Sequence, residues 1–482
     1  MSVNQQQAPL WQALCASARS DQVAFHTPGH KRGRGLPAKV LAQLGSTLGP
    51  MDLPELPELD NLFAPESVIR NAQVLAAELF GAEQTWFLTN GSTCGIIAAI
   101  LATCGPGDEI IVPRNIHISV ISGLIFSGAM PIFVQPPMDS QLHLGHCLTP
   151  EVVQQALAEF PNTKAVLLVY PTYEGICGDI LAIANLVHDH GIPLIVDEAH
   201  GPHFAFHPEL PQSALAAGAD LVVQSTHKML GAMTQAAMLH VQGDLIMSQR
   251  ISQALQLVQS TSPNYLLLAS LDAARQQMAL YGVSLMQEVL TLAAQARSCL
   301  QALPGYPIWD PAKTSPGYIA MDCTRLTIPA HLFGHPGYDL DQILLATHNI
   351  AAELVTPDHL TFLISLGNTL SDIDRLVLAL QTLYQPFSPP RLDSVARPTL
   401  SLPALSPRAA YWRPSEVIPL QEAADRISSE SICPYPPGIP ILLPGERIRS
   451  QDLNHLLHLN SQGGVMTGCS DLSLKTLKVV QE

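Results

Sequence analysis

The 482-residue chain predicts an α/β fold: a large domain on a mostly parallel sheet, followed by small α+β C-terminal domains. Three observations carry this. Short apolar runs at 85–88, 110–112, 165–169, 192–196, 221–223 and 235–241 alternate with helix-patterned segments, the rhythm of right-handed βαβ crossovers. Several of these runs are continuously apolar, as strands covered on both faces are. Beyond residue 305 the rhythm changes to strand candidates at 318–323 and 360–365 and helix candidates at 340–348 and 371–383. The predicted domains are an arm at 1–65, a large domain at 66–305, a small α+β domain at 306–390 and a C-terminal domain at 391–482, set off by a Pro-rich linker at 386–407.

In order, residues 10–18 read as a short helix, and 25–35 (FHTPGHKRGRG) as a Gly- and Pro-rich loop. In a chain with only 24 Lys and Arg, that basic cluster is either plain surface or a contact for something anionic, a phosphate or a carboxylate. A helix at 68–80 stops at Gly81. The strand at 85–88 leads through Asn90-Gly91-Ser92-Thr93 to an apolar helix at 96–103. Small residues at a helix mouth leave its first N–H groups free, and Ser92 and Thr93 add hydroxyls, so this is a cradle for a phosphate. The strand at 110–112 delivers Arg114, Asn115, His117 and Ser119 to a loop or helix start. The strand at 165–169 precedes YPTYEG at 170–175, a helix follows at 181–188, and the strand at 192–196 ends in Asp197, inside DEAH. Thr261, Ser262 and Pro263 open a long helix at 266–279, with more helix at 285–303; the hydroxyls either cap it or meet a ligand. Residues 433–440, CPYPPGIP, form a rigid, partly polyproline segment.

The chemistry gathers at strand ends. The run at 221–223 gives way to Ser225-Thr226-His227-Lys228. A lysine there is either a surface ammonium or a desolvated amine that attacks a carbonyl. Thirty-one residues upstream, Asp197 is a carboxylate at the end of a buried parallel strand, where such sheets open into sites. Phosphate cradle, carboxylate and lysine together suit pyridoxal 5'-phosphate, with its phosphate on the helix at Ser92 and Thr93, its pyridine nitrogen on Asp197 and its aldehyde on Lys228.

Nine motifs extend this reading: FHTPGHKRG (25–33), LDNLF (59–63), NGST (90–93), RNIHIS (114–119), YPTYEG (170–175), DEAHG (197–201), STHKMLG (225–231), TSPNYLLLASLDAAR (261–275) and ICPYPPGIPILLPGE (432–446). In this ordered set, spanning almost the whole chain, the sequence resembles the Orn/Lys/Arg decarboxylase family of fold-type I pyridoxal enzymes, in its short form. The resemblance implies a fold-type I transferase-like large domain and decarboxylation of a basic L-amino acid to its amine and CO2, with arginine first, lysine next and ornithine open, a step of polyamine biosynthesis. It sets His117 against the pyridoxal face and Ala199 as a small flat surface for the ring. His200 meets the substrate or the cofactor's phenolic oxygen, and either it or Lys228 returns a proton to the α carbon. Ser225 and His227 count among the cofactor contacts, and Thr261 and Ser262 reach the phosphate of a partner subunit. His30 and Lys31 lie in an arm over the dimer and are substrate candidates with Glu174, whose plain alternative is a solvated charge. A homodimer follows, with higher oligomers built from it allowed. An aminotransferase uses the same phosphate, Asp and Lys parts and is the rival; a non-catalytic pyridoxal-binding protein is the third class.

Composition bounds the remaining classes. A net charge of −16 argues against binding a nucleic-acid backbone. Nine cysteines without a CxxC pair or zinc-like spacing predict free thiols in a reducing compartment and no metal. No apolar leader follows Met1, and the apolar stretch at 118–134 is broken by Gly123, Gly128 and Pro131, so a cytoplasmic protein without a membrane anchor is expected.

Overall fold

A computed structural model describes residues 4–139, 142, 144–302, 308–310, 315–385, 402–435 and 438–481. The first elements are α1 (Pro9–Arg19), α2 (Ala38–Met51), α3 (Val68–Phe80), β1 (Gln84–Leu88), α4 (Gly91–Thr103), β2 (Glu109–Pro113), α5 (Ile118–Ser127), β3 (Met130–Val134) and α6 (Pro150–Glu159). Next come β4 (Thr163–Val169), β5 (Ile176–Cys177), α7 (Ile180–Asp189), β6 (Leu194–Asp197), β7 (Leu221–Gln224), α8 (Thr226–Met229), β8 (Ala237–Val241), α9 (Ser248–Val258) and α10 (Tyr265–Gln301). Contacts divide the chain into two compact units, Met1–Ala102 with Ile195–Met286, and Thr103–Leu194 with Gln287–Glu482.

In the first unit the large sheet runs β1-β8-β7-β6. β6 and β7 are parallel, with Ile195 opposite Leu221 and Asp197 opposite Val223. β8 pairs antiparallel with both β7 and β1, because the connection from β7 carries only the one-turn α8 and the chain folds straight back. α4 packs on this sheet through Gly95, where a Cβ would fall 2.7 Å from both Leu88 Cδ1 and Val223 Cγ1. The two helices expected at 266–279 and 285–303 form a single α10 through Gln301, residue 303 lying outside the described residues.

α10 also anchors the N-terminal segment. Arg275 and Asp272 are fully buried and paired at 2.7 Å. Arg275 donates to the carbonyl oxygens of Gln5 and Gln7, while the other oxygen of Asp272 accepts from the N–H of Leu10 at 2.9 Å and of Trp11 at 3.3 Å. α1 has no cap from its own N-cap residue, so a carboxylate 262 positions away satisfies its first donors.

In the second unit the large sheet runs β4-β2-β3, all parallel. The remaining elements are β9 (Ala320–Met321), β10 (Arg325–Pro329), α11 (Gly337–Ile343), β11 (Leu354–Val355), β12 (His359–Leu363), α12 (Leu370–Leu383), α13 (Pro407–Trp412), β13 (Ser415–Pro419), β14 (Cys433–Tyr435), α14 (Ser450–Ser461), β15 (Val465–Thr467) and β16 (Thr476–Val480). β10-β12-β11 make an antiparallel sheet. The pairs β13-β16 and β14-β15 enclose a core that includes Leu420, Ile432, Ile448, Leu456 and Val479. The strand expected at 318–323 shrinks to β9, and the helix expected at 340–348 ends at Ile343, continuing as a π-helical turn to His348. Residues 386–401 of the predicted linker, and Pro436 and Pro437, lie outside the described residues. No described helix is long and apolar enough to cross a membrane, and none of the nine cysteines, all of them described, is in a disulfide.

Replacing Asp272 with Ala strands a buried guanidinium and uncovers the donors of α1. The expected loss is about 3–5 kcal/mol, read as a lower urea midpoint, and the double variant D272L/R275M is expected to lose less than D272A because no lone charge stays inside.

Candidate active site

The parallel register of β6 and β7 brings their C-terminal ends side by side, where open α/β sheets form sites. β6 closes on Asp197, and β7 runs through Ser225 into α8, whose single turn carries Lys228. Lys228 Nζ lies 2.8 Å from His200 Nε2. Asp197 is only 7% exposed, and its Oδ1 accepts the Ala199 N–H at 3.2 Å. Burial raises the pKa of this carboxyl, and the positive charge of Lys228 works against that rise. A carboxyl so placed ionises readily only beside a cation.

The phosphate cradle departs from its expected boundaries. α4 starts at Gly91, not at residue 96, so Ser92 and Thr93 sit in its first turn, where N–H groups have no partner within the helix. The hydroxyl of Ser225 donates to that of Ser92 at 2.8 Å, tying the end of β7 to the helix mouth. Thr93 is exposed, and Ala199 is buried at the mouth of β6. His227 points elsewhere: its Nδ1 lies 3.0 Å from the carbonyl oxygen of Ala236 and braces the turn into β8.

Gln259 Oε1 accepts the Thr89 N–H at 3.0 Å, and the Ser260 N–H donates to Asn90 Oδ1 at 3.3 Å, so the segment leading to α10 is fastened to the loop leading to α4. α10 is capped by Asn264, whose Oδ1 accepts from the N–H groups of Leu266 and Leu267. Thr261 and Ser262 therefore do not cap it, and both stay exposed. In the arm, His30 Nε2 lies 3.0 Å from Asp52 and its Nδ1 accepts the Gly33 N–H; Lys31 Nζ donates to the His26 carbonyl oxygen at 2.5 Å. Arg32 donates to the carbonyl oxygens of Ser17 and Ala18 at the end of α1.

Two candidates belong to the second unit. His117 caps α5, its Nδ1 accepting the Ser119 N–H at 3.2 Å. Glu174 is 8% exposed and lies 3.7 Å from His359 Nε2, which removes the solvated-charge alternative. In the same unit Arg114 joins two of the motifs, donating to the carbonyl oxygens of Pro440 and Ile441 and pairing with Glu446 at 3.1 Å. The sequence placed Arg114 in a loop or helix start without giving it a role and singled out neither Gln259 nor Glu198, of which Glu198 carried a signal, as a second acid directly after a site aspartate.

Residues 8–316 match the Orn/Lys/Arg decarboxylase major domain and 394–468 the Orn/Lys/Arg decarboxylase C-terminal domain. The chain belongs to the Orn/Lys/Arg decarboxylase family. It is 38% identical over 485 residues to an arginine decarboxylase of Bacillus subtilis, covering 100% of this chain and 99% of that protein. A lysine decarboxylase of Pseudomonas aeruginosa is 25% identical, over 91% of this chain and 74% of its own. Among solved structures, a Francisella novicida lysine decarboxylase superposes with a TM-score of 0.82 at 23% identity, covering 98% of this chain and 81% of that one. The Escherichia coli constitutive lysine decarboxylase gives 0.83 at 21%, covering 99% and 82%. These structural likenesses establish the α/β fold.

As a member of the Orn/Lys/Arg decarboxylase family the protein is a pyridoxal-phosphate-dependent decarboxylase. The donor set of the first unit fits that cofactor: an amine beside an imidazole, a buried carboxylate on the neighbouring strand end, and a helix mouth with a linked pair of serine hydroxyls. Replacing Lys228 with Ala is expected to abolish the borohydride-reducible attachment of the cofactor to the protein in the absence of added amine, and to cut turnover by orders of magnitude; the visible spectrum before and after reduction checks both the attachment and its loss.

Proposed function

We propose that this decarboxylase takes arginine as its preferred substrate, releasing CO2 and the corresponding amine. One observation carries the preference: the chain matches arginine decarboxylases of several bacilli at 37–38% identity over nearly its whole length, against 24–25% for the lysine decarboxylases. A biodegradative arginine decarboxylase of Escherichia coli, matched over 77% of its length, stands at only 24%, so the preference rests on the likeness to the bacillar proteins and not on the substrate name alone.

Pyridoxal phosphate, when bound, supplies the electron sink for the pair left by the departing CO2. Lys228 Nζ would be the amine that holds the cofactor's aldehyde carbon, and His200 Nε2, 2.8 Å away, is placed to take or return the proton at that nitrogen. Asp197, buried and ionised beside a cation, would hold the proton on the ring nitrogen. The first-turn N–H groups of α4, with the hydroxyls of Ser92 and Ser225, would hold the phosphate dianion. Lys228 or His200 then returns a proton to the substrate α carbon.

Parallel assays of arginine, lysine and ornithine are expected to rank arginine first in kcat/KM, with CO2 and amine released in equal amounts. A higher kcat/KM for lysine would reverse the preference, and a keto acid product would transfer the chemistry to transamination.

The same reading makes the working unit a homodimer in the cytoplasm, with higher assemblies built from dimers. Nine cysteines without a disulfide among them suit a reducing compartment. Thr261 and Ser262, exposed and released from capping by Asn264, offer hydroxyls to the phosphate held by a partner subunit. Mixing Lys228→Ala protein with a Thr261→Ala/Ser262→Ala variant is then expected to give activity above either parent after subunit exchange, since one site in each mixed dimer regains both components. A fully active monomer at nanomolar concentration would overturn the shared site.

A further inference from the structure

Behind Asp197, on the opposite face of the sheet, four polar side chains form a continuous hydrogen-bonded chain across the ends of β6 and β7 and on to β8 and β1. The register that pairs Asp197 with Val223 sets Glu198 beside Gln224, and Thr85 is directly opposite His240. Because side chains alternate along strands, Glu198, Gln224, His240 and Thr85 share one face while Asp197 and Val223 take the other. Gln224 Nε2 donates to Glu198 Oε2 at 2.6 Å, and Glu198 Oε1 accepts the Ala214 N–H at 2.7 Å. His240 Nε2 donates to Gln224 Oε1 at 3.1 Å, and its Nδ1 accepts from the Thr85 hydroxyl at 2.7 Å. None of the four side-chain bearers is more than 1% exposed, and the His240 ring rests 4.9 Å from that of Phe80.

A polar chain inside a sheet face is tolerated only when every link is made, and here every link is. Burial pushes the Glu198 carboxyl up to about 8, and the hydrogen bonds from Gln224 and Ala214 work against that rise. Burial pushes His240 down to about 3, which leaves a neutral ring with one donor and one acceptor. No side chain of the chain is among the candidate cofactor contacts. Its backbone neighbours are: Glu198 follows Asp197, Gln224 precedes Ser225, and the Glu198 N–H donates to the Val223 carbonyl oxygen at 2.9 Å.

We propose that Glu198 is a positioning residue of this decarboxylase: its bond to Gln224 clamps the ends of β6 and β7 from behind and so fixes the spacing between Asp197 and the turn that carries Ser225 and Lys228, with His240 and Thr85 bracing the clamp. The inference rests on the assignment of Asp197 and Lys228 to the cofactor, so the test has one arm independent of turnover.

Glu198→Ala is expected to weaken pyridoxal phosphate binding by the apo-protein about tenfold and to lower kcat about tenfold with KM changed less than about twofold, as for a misplaced but intact site. In the apo-protein, amide hydrogen exchange over 195–199 and 221–228 is expected to quicken. Glu198→Gln is expected to restore all three to within about threefold, since an amide bridges the same two partners once the Gln224 amide turns over. If Glu198→Ala does not fold, Gln224→Met breaks the same bond at similar side-chain length and is read the same way. Unchanged exchange and cofactor affinity in a folded clamp variant would overturn the proposal, as would failure of Glu198→Gln to restore them. Quickened exchange in a protein whose wild type releases no CO2 would leave the clamp standing and the substrate reading refuted.

Discussion

The pairing of Asp197 with Val223 on adjacent parallel strands is the constraint from which the rest of the first unit follows. A parallel pair sends both chains out at the same end of the sheet, so the acid that ends one strand and the turn that leaves the next emerge as neighbours. A slip of one residue would exchange the two faces: Asp197 would turn into the packed side, and Glu198 would enter the site. The pairing is held by the ladder, by the Gln224–Glu198 bond beneath it, and by the close approach of α4 over Gly95.

Much of this was legible in the residues. Strand ends could be read because each apolar run stops at a polar cluster, and the chemistry of Lys228, Asp197 and the small residues at 90–93 could be read because their types are scarce or costly where they stand. The pairing of Lys228 with His200 is another matter. Sequence put His227 beside the lysine, yet in one turn of helix adjacent side chains diverge, and the partner comes from a loop 28 residues away. Asn264 was overlooked for a similar reason, because serine, threonine and asparagine all suit the position before a helix and only the backbone decides which one faces the free N–H groups.

Long-range satisfaction was the least legible property. Nothing near α1 announces that Asp272 will accept from its first turn, and nothing in YPTYEG announces that Glu174 will be buried against His359. These contacts join residues whose separation in sequence carries no period, so neither amphipathic pattern nor capping signature encodes them. With 13% charged residues, the protein keeps several of its charges inside, in pairs such as Arg275–Asp272 and Arg114–Glu446. Removing one partner of such a pair is far more damaging than never having had either.

The anchoring of the N-terminal segment has an evolutionary corollary. Arg275 recognises the segment chiefly through carbonyl oxygens of Gln5 and Gln7, and every amino acid carries a carbonyl oxygen. Point substitutions at these positions therefore leave most of the guanidinium's acceptors in place, whereas an internal deletion of even a single residue between Gln5 and Leu10 would pull them out of reach. Spacing, more than identity, is what selection can act on there, and drift in this stretch should run through exchanges of side chain with the residue count conserved.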